Sequence, residues 1–188
     1  MKTRNFVSFA LIATAFLITL SSFAQKEKTV IVGGAVMYPS KNIIDNAVNS
    51  KDHSTLVAAV KAAGLVETLQ SAGPFTVFAP TNNAFNKLPN GTVEILLKPE
   101  NLKMLQTILT YHVLSGKFTS GQIVAAIKAG NGSANFKTIS GAELTATLLN
   151  DAVILTDQNG TQATVTIADV NQSNGVIHVI DAVLTPKS

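Results

Sequence analysis

Three imidazoles, His53, His112 and His178, are the side chains in this 188-residue sequence best suited to acid–base or metal chemistry at neutral pH. They stand far apart, and none belongs to an H-E-x-x-H segment that would set two ligands on one helical face. Cysteine is absent, which removes thiolate ligands, thiol nucleophiles and disulfides together. No G-x-S-x-G segment offers a serine on a nucleophile elbow, although a triad can also assemble from distant residues. The 11 carboxylates are dispersed, and their plain reading is capping and surface solvation. Gly130-Asn131-Gly132 begins like a dinucleotide loop, but Asn135 stands where the third glycine belongs, and a helix rather than a strand is predicted before it. Asn90, Asn131, Asn159 and Asn171 open N-x-S/T sequons, which matter only in a eukaryotic secretory route and otherwise read as turn chemistry. The residues therefore predict no catalytic constellation, no metal site and no cofactor.

The compartment is read from the N-terminus. Lys2 and Arg4 precede an uncharged, mostly apolar stretch from Asn5 to Gln25, and Ser22 and Ala24 occupy the small-residue positions of a cleavage site. This layout predicts a secretory signal peptide over residues 1–24, with an uncleaved anchor as the alternative that the small residues disfavour. No cysteine follows the apolar stretch, so lipid attachment is not expected. The expected mature chain has 164 residues, enough for one domain with its own core. It carries 12 basic against 11 acidic residues, a net +1, so the +3 of the full chain overstates its basicity. The only arginine, Arg4, leaves with the signal; tryptophan is absent and Tyr38 and Tyr111 are the only tyrosines. Guanidinium forks and stacking platforms are thus scarce, and nucleic acid is not an expected partner.

The elements that would position these side chains fall into two groups. Residues 25–39 read as a flexible lead-in, and 40–188 as the domain. Helical spacing starts after Pro39-Ser40 with Ile43, Ile44, Ala47 and Val48, and continues through Leu56, Ala59, Val60 and Ala63 to Gly64, with Asp52 or Ser54 as cap. Leu65 and Leu69 give a further short turn. Phe75–Phe78 reads as a strand, Thr81 as the cap of a short helix carrying Phe85 and Leu88, and Val93–Leu97 as another helix. Pro99 then opens a longer helix whose buried stripe is Leu102, Leu105, Ile108 and Leu109. The chain turns extended at Tyr111-His112-Val113-Leu114, and Ser120 reads as the cap of a last helix ending at Gly130. Beyond it, five β-rich segments between Phe136 and Leu184 are parted by Asn150-Asp151, Asn159-Gly160 and Asn174-Gly175. Helices early and strands late predict an α+β fold.

Three segments carry a family resemblance. Phe75-Thr76-Val77-Phe78-Ala79-Pro80-Thr81-Asn82-Asn83-Ala84-Phe85, then Tyr111-His112-Val113-Leu114, then Asn174-Gly175-Val176-Ile177-His178-Val179-Ile180-Asp181-Ala182-Val183-Leu184-Thr185-Pro186 resemble the signatures of the fasciclin domain, in order and at its spacing. The resemblance covers about residues 40–186. It implies a β-wedge or sandwich of mainly antiparallel strands flanked by several short helices. It also implies a secreted, non-catalytic module for adhesion or surface and matrix interaction, monomeric, with a protein or a matrix or cell-surface component as partner and no membrane span once the signal is removed. Two adhesion elements proposed in animal members fall by position on Tyr111 and His112, and on Asp169 and Val170, where Val replaces the family's Ile. Each also has a structural reading: a Tyr-His pair at a helix–strand junction would be buried and hydrogen-bonded, and an aspartate at a turn would bond nearby backbone. The runner-up function is an exported binding protein for a small apolar ligand or cofactor held between helices and sheet, which a deep apolar pocket would favour. An exported enzyme with chemistry that the sequence does not display is the third reading.

Overall fold

The computed structural model describes residues 28–187; the expected signal peptide lies outside them. The chain opens with a hairpin of β1 (Val30–Val32) and β2 (Ala35–Met37). The flexible lead-in expected over residues 25–39 is corrected only from Val30 to Met37, where the chain forms this hairpin. Gly33 and Gly34 both adopt positive φ, as a tight two-residue hairpin turn requires, and Val32 and Met37 are buried in the core. A Cβ on Gly33 would collide with Ser50 and the backbone of Asp52, so the turn is seated against the following segment.

Short helices follow: α1 (Ile43–Ala47), α2 (Ser54–Ala62) and α3 (Val66–Gln70). A 3-10 turn at Lys51–His53 precedes α2, and neither Asp52 nor Ser54 caps it. The free Thr55 N–H donates instead to Asn82 Oδ1 at 3.0 Å, from the first signature segment. Strand β3 (Phe75–Pro80) leads into α4 (Asn82–Asn86), capped by Thr81 as expected. After α5 (Thr92–Leu96) and a 3-10 turn at Pro99–Asn101 comes α6 (Leu102–Tyr111). Its buried face holds Leu105 and Leu109; Leu102, expected in the stripe, opens the helix at its outer end and is exposed. Strand β4 (Val113–Ser115) and helix α7 (Ser120–Ala129) come next. Thr119, not Ser120, is the N-cap of α7, in a reciprocal capping box with Gln122.

Strands β5 (Ser133–Lys137), β6 (Glu143–Leu149), β7 (Ala152–Thr156), β8 (Gln162–Gln172) and β9 (Gly175–Ile180) complete the chain. Seven strands form one sheet in the order β4-β3-β9-β8-β7-β6-β5. All neighbours are antiparallel except β3–β9, next to the β4 edge, which is parallel from Phe75 beside Gly175 to Pro80 beside Ile180. Leu114 in β4 also bridges Thr138 just beyond β5, so the two outer strands approach each other and the sheet curls into a wedge.

Two cores result, one on each side of the central strands. In β3, Val77 and Ala79 face the first core with α1–α6 and the β1–β2 hairpin, while Phe78 faces the second. That second core lies inside the wedge, where Ile123 and Ile127 of α7 meet Leu144, Leu155 and Ile180. Every residue of β9 is buried, as expected of a strand covered on both faces.

Candidate functional site

The residues marked out by the sequence, Tyr111, His112, Asp169 and Val170, do not form one surface. Tyr111 ends α6 and is fully buried; its hydroxyl donates to the Glu143 carbonyl at 2.8 Å. Burial pushes the phenol up to about 12, with the charge of Asp157 adding to the effect and a backbone contact at Gln158 opposing it. His112 follows as the C-cap residue of α6. Its Nδ1–H donates to the Ile108 carbonyl at 2.8 Å, and its Nε2 accepts from the Leu184 N–H at 3.1 Å. Both ring nitrogens are committed to backbone, which fixes one neutral tautomer. Burial holds this imidazole down to about 4, against weaker raising contributions from the Ile108 carbonyl and Asp157.

Asp169 lies within β8, not at a turn between strands. The register with β9 slips by one residue between Ile167 and Val170, so Asp169 occupies a β-bulge and takes φ +58. Aspartate tolerates that conformation better than most residues do. Its carboxylate turns to the start of α7: Oδ1 accepts from the Ser120 N–H at 2.7 Å, and Oδ2 accepts from the Ser120 hydroxyl. Its own N–H donates to His178 Nδ1 at 3.3 Å, and His178 Nε2–H donates to the Phe118 carbonyl at 2.8 Å. Ser120, Asp169 and His178 thus gather into a cluster that superficially resembles a hydrolase triad. The order of bonds differs from a triad: the imidazole contacts backbone on both sides, so no ring nitrogen is left to take a proton from the serine. Burial lowers the affinity of His178 for a proton, with the Phe118 carbonyl and Asp169 raising it less. Val170 is 1% exposed, paired with Ile177 in the first core.

Sequence reasoning missed several residues of the same kind. Asn174 Oδ1 accepts from the Ile43 N–H at 3.0 Å, while its Nδ2 donates to the Leu69 and Ser71 carbonyls at 2.8 and 2.9 Å. One amide therefore ties α1 and α3 to the β8–β9 turn. Asp157, buried, accepts from the N–H groups of Asn159 and Thr161 through Oδ1 and from that of Thr185 through Oδ2. Thr76 Oγ1 donates to the Gly116 carbonyl and accepts from the Phe118 N–H. These side chains satisfy backbone groups where the chain changes direction, a need that local sequence does not advertise.

His53 is the exception among the imidazoles. Its Nδ1 lies 2.9 Å from Ser50 Oγ, but its buried Nε2 has no hydrogen-bond partner. Burial lowers its proton affinity; the Ala79 backbone raises it less, without reaching hydrogen-bond geometry. His53 borders an apolar cavity of about 70 Å³ in the first core. Among the described residues no group of three His, Asp or Glu side chains is placed to hold a metal ion, and no helix is long and apolar enough to cross a membrane.

Comparison with known proteins agrees with this architecture. The chain is 45% identical over 169 residues to Protein sll1483 of a Synechocystis species, covering 90% of this chain and 87% of that one. It is 34% identical over 145 residues to Immunogenic protein MPB70 of Mycobacterium bovis, covering 74% of this chain and 66% of that protein. It is 38% identical over 148 residues to the transforming growth factor-beta-induced protein ig-h3 of Sus scrofa, of which it spans 20%. The fold matches a FAS1 domain pair from the insect cell adhesion molecule fasciclin I with a TM-score of 0.69 at 19% identity, over 78% of this chain and 51% of that one. The fasciclin-domain family model matches residues 51–186, and the chain belongs to that family.

Proposed function

We propose that this chain is an exported, non-catalytic adhesion module that binds a protein or a matrix or cell-surface component, as a monomer. We further propose that it binds through the exposed face of α5 and α6 rather than through its signature motifs. Kinship with a domain pair from a cell adhesion molecule supports the general reading. The observation that carries the placement is a division of labour. Tyr111, His112 and Val170 are buried and Asp169 is bonded to Ser120, whereas Ile95 and Met104 are 52% and 57% exposed, with Leu97 and Leu102 exposed between them. Four large apolar side chains exposed between Ile95 and Met104, across the end of α5, the 3-10 turn and the start of α6, are a recognition feature with no evident value to the core. Met104 also borders a surface groove of about 620 Å³, shared with Pro186 and flanked by Lys103 and Lys187. Rigid scaffolds present contacts of this kind to partners.

The test is retention of the purified protein on cells, matrix components and envelope extracts, compared with an Ile95→Asp/Met104→Asp double variant. Exposed positions tolerate such changes within about 0.5 kcal/mol each, so melting should barely move. The reading expects retention to fall at least tenfold. Unchanged retention would remove the helical face from the account.

A further inference from the structure

The cavity beside His53 lies between the helical layer and the central strands. Val60 of α2 and Leu69 of α3 form one wall, and Val77 of β3 with Ile177 of β9 form the opposite one. At the other end the lining reaches half-buried Leu65 and exposed Lys61 and Thr68, where α2 turns into α3. Among the described residues no aspartate or glutamate lines it, and Lys61 is the only lining side chain with a permanent charge. The space is thus apolar, and the exposed Lys61 side chain stands at its outer end.

We propose that this cavity takes the end of an unbranched aliphatic chain from a carboxylate amphiphile of the fatty-acid type, with the head group outside beside the Lys61 ammonium. Three features select that ligand. An apolar cavity is a poor site for water, which needs two to four polar partners, so it is better filled by carbon. A volume of about 70 Å³ is roughly half that of an engineered apolar cavity which accepts benzene, so it holds a few methylene groups and no ring system. The head cannot be the buried end, because an unpaired carboxylate inside an apolar wall carries a heavy desolvation cost and no cation is there to meet it. At the rim Lys61 supplies one while remaining hydrated. The rest of the chain would lie along the α2–α3 corner, against Leu65.

The test is a methyl-detected NMR titration of the purified protein with butanoate, hexanoate and octanoate, and with octanol as the uncharged control. Saturable shifts should centre on the methyls of Val60, Leu69, Val77 and Ile177. Affinity should rise up to about fourfold per added methylene while the chain still gains buried length. Lys61→Gln should weaken octanoate about threefold to fivefold and leave octanol unchanged. Val77→Ile places a methyl in the cavity and should abolish both while leaving the melting temperature equal or higher; Val60→Ile does the same from the helix side. Shifts confined to Ile95 and Met104 would mean adsorption on the surface and overturn the proposal. So would a melting temperature lowered by several degrees in both isoleucine variants, since added methyls destabilise only where no space exists. Met104→Asp, which tests the adhesion reading, should leave octanoate binding intact, so the two ideas fail separately.

Discussion

His112 Nε2 accepts a hydrogen bond from the Leu184 N–H at 3.1 Å, joining the end of α6 to the last stretch of the second signature, 72 residues further along the chain. Removing the ring would strand that N–H and the Ile108 carbonyl and leave a hole where the buried imidazole stood. His112→Ala should cost about 2–4 kcal/mol, read as a fall in the denaturant midpoint. An unchanged midpoint would take away the role assigned to the ring.

The same residue makes stability depend on pH. Its folded value of about 4 lies below the unfolded 6.5, so between those limits the unfolded chain binds the extra proton. The contribution is complete above about pH 6.5 and is lost as pH falls toward 4, up to about 3 kcal/mol for this residue alone. His53 and His178 are shifted in the same direction and act with the same sign. Unfolding curves at pH 7, 5.5 and 4 should show a steady fall, with about one proton less of slope in His112→Gln.

Asp169 should behave as a brace. Asp169→Ala removes both acceptors from Ser120 and places a residue poorly suited to φ +58 in the bulge, for a loss of about 2–3 kcal/mol. Asp169→Asn keeps one acceptor and the tolerance of positive φ, and the Ser120 hydroxyl can turn to accept from the new amide. Its cost should stay near 1 kcal/mol. Equal losses in the two variants would show that charge, not geometry, matters here.

Two glycines at strand turns should respond differently to alanine. Gly175 sits where β9 passes β3, and an added Cβ would collide with the Phe75 backbone. Gly160 faces open space at φ +85. Gly175→Ala should therefore lose about 3 kcal/mol or the folded state altogether, and Gly160→Ala about 1 kcal/mol. Thermal melts of the pair settle the order.

The two glycines also illustrate what the sequence could convey. Asn159-Gly160 and Asn150-Asp151 announce turns because a positive φ needs particular residues, and Asn150 and Asp151 do adopt φ +48 and +64. Gly175 looks like the same signal, yet it lies in strand and serves close approach to a partner 100 residues away in the chain. Strand β3, the capping Thr81 and the helix after Pro99 were legible because their signals are local. Two local signals were present but missed. Thr119-x-x-Gln122 is a capping box, and the apolar residues flanking Gly33-Gly34 spell a hairpin. The Asp169–Ser120 and Asn174–Ile43 contacts carry no local signature, since each joins segments that only the finished fold brings together. For that reason a residue set apart by a motif could be read from sequence as either a contact or a brace.

The signature residues hold the fold, and we propose that partners meet a different face. Binding per folded molecule separates the two roles. Retention on the chosen surface should be measured for His112→Ala, Asp169→Ala and Val170→Ala at a temperature where each remains folded by circular dichroism. Every variant should melt lower while retention, divided by folded fraction, stays within twofold of the parent. A variant that is fully folded and yet loses retention tenfold would place a partner contact in the motif and overturn this division of roles.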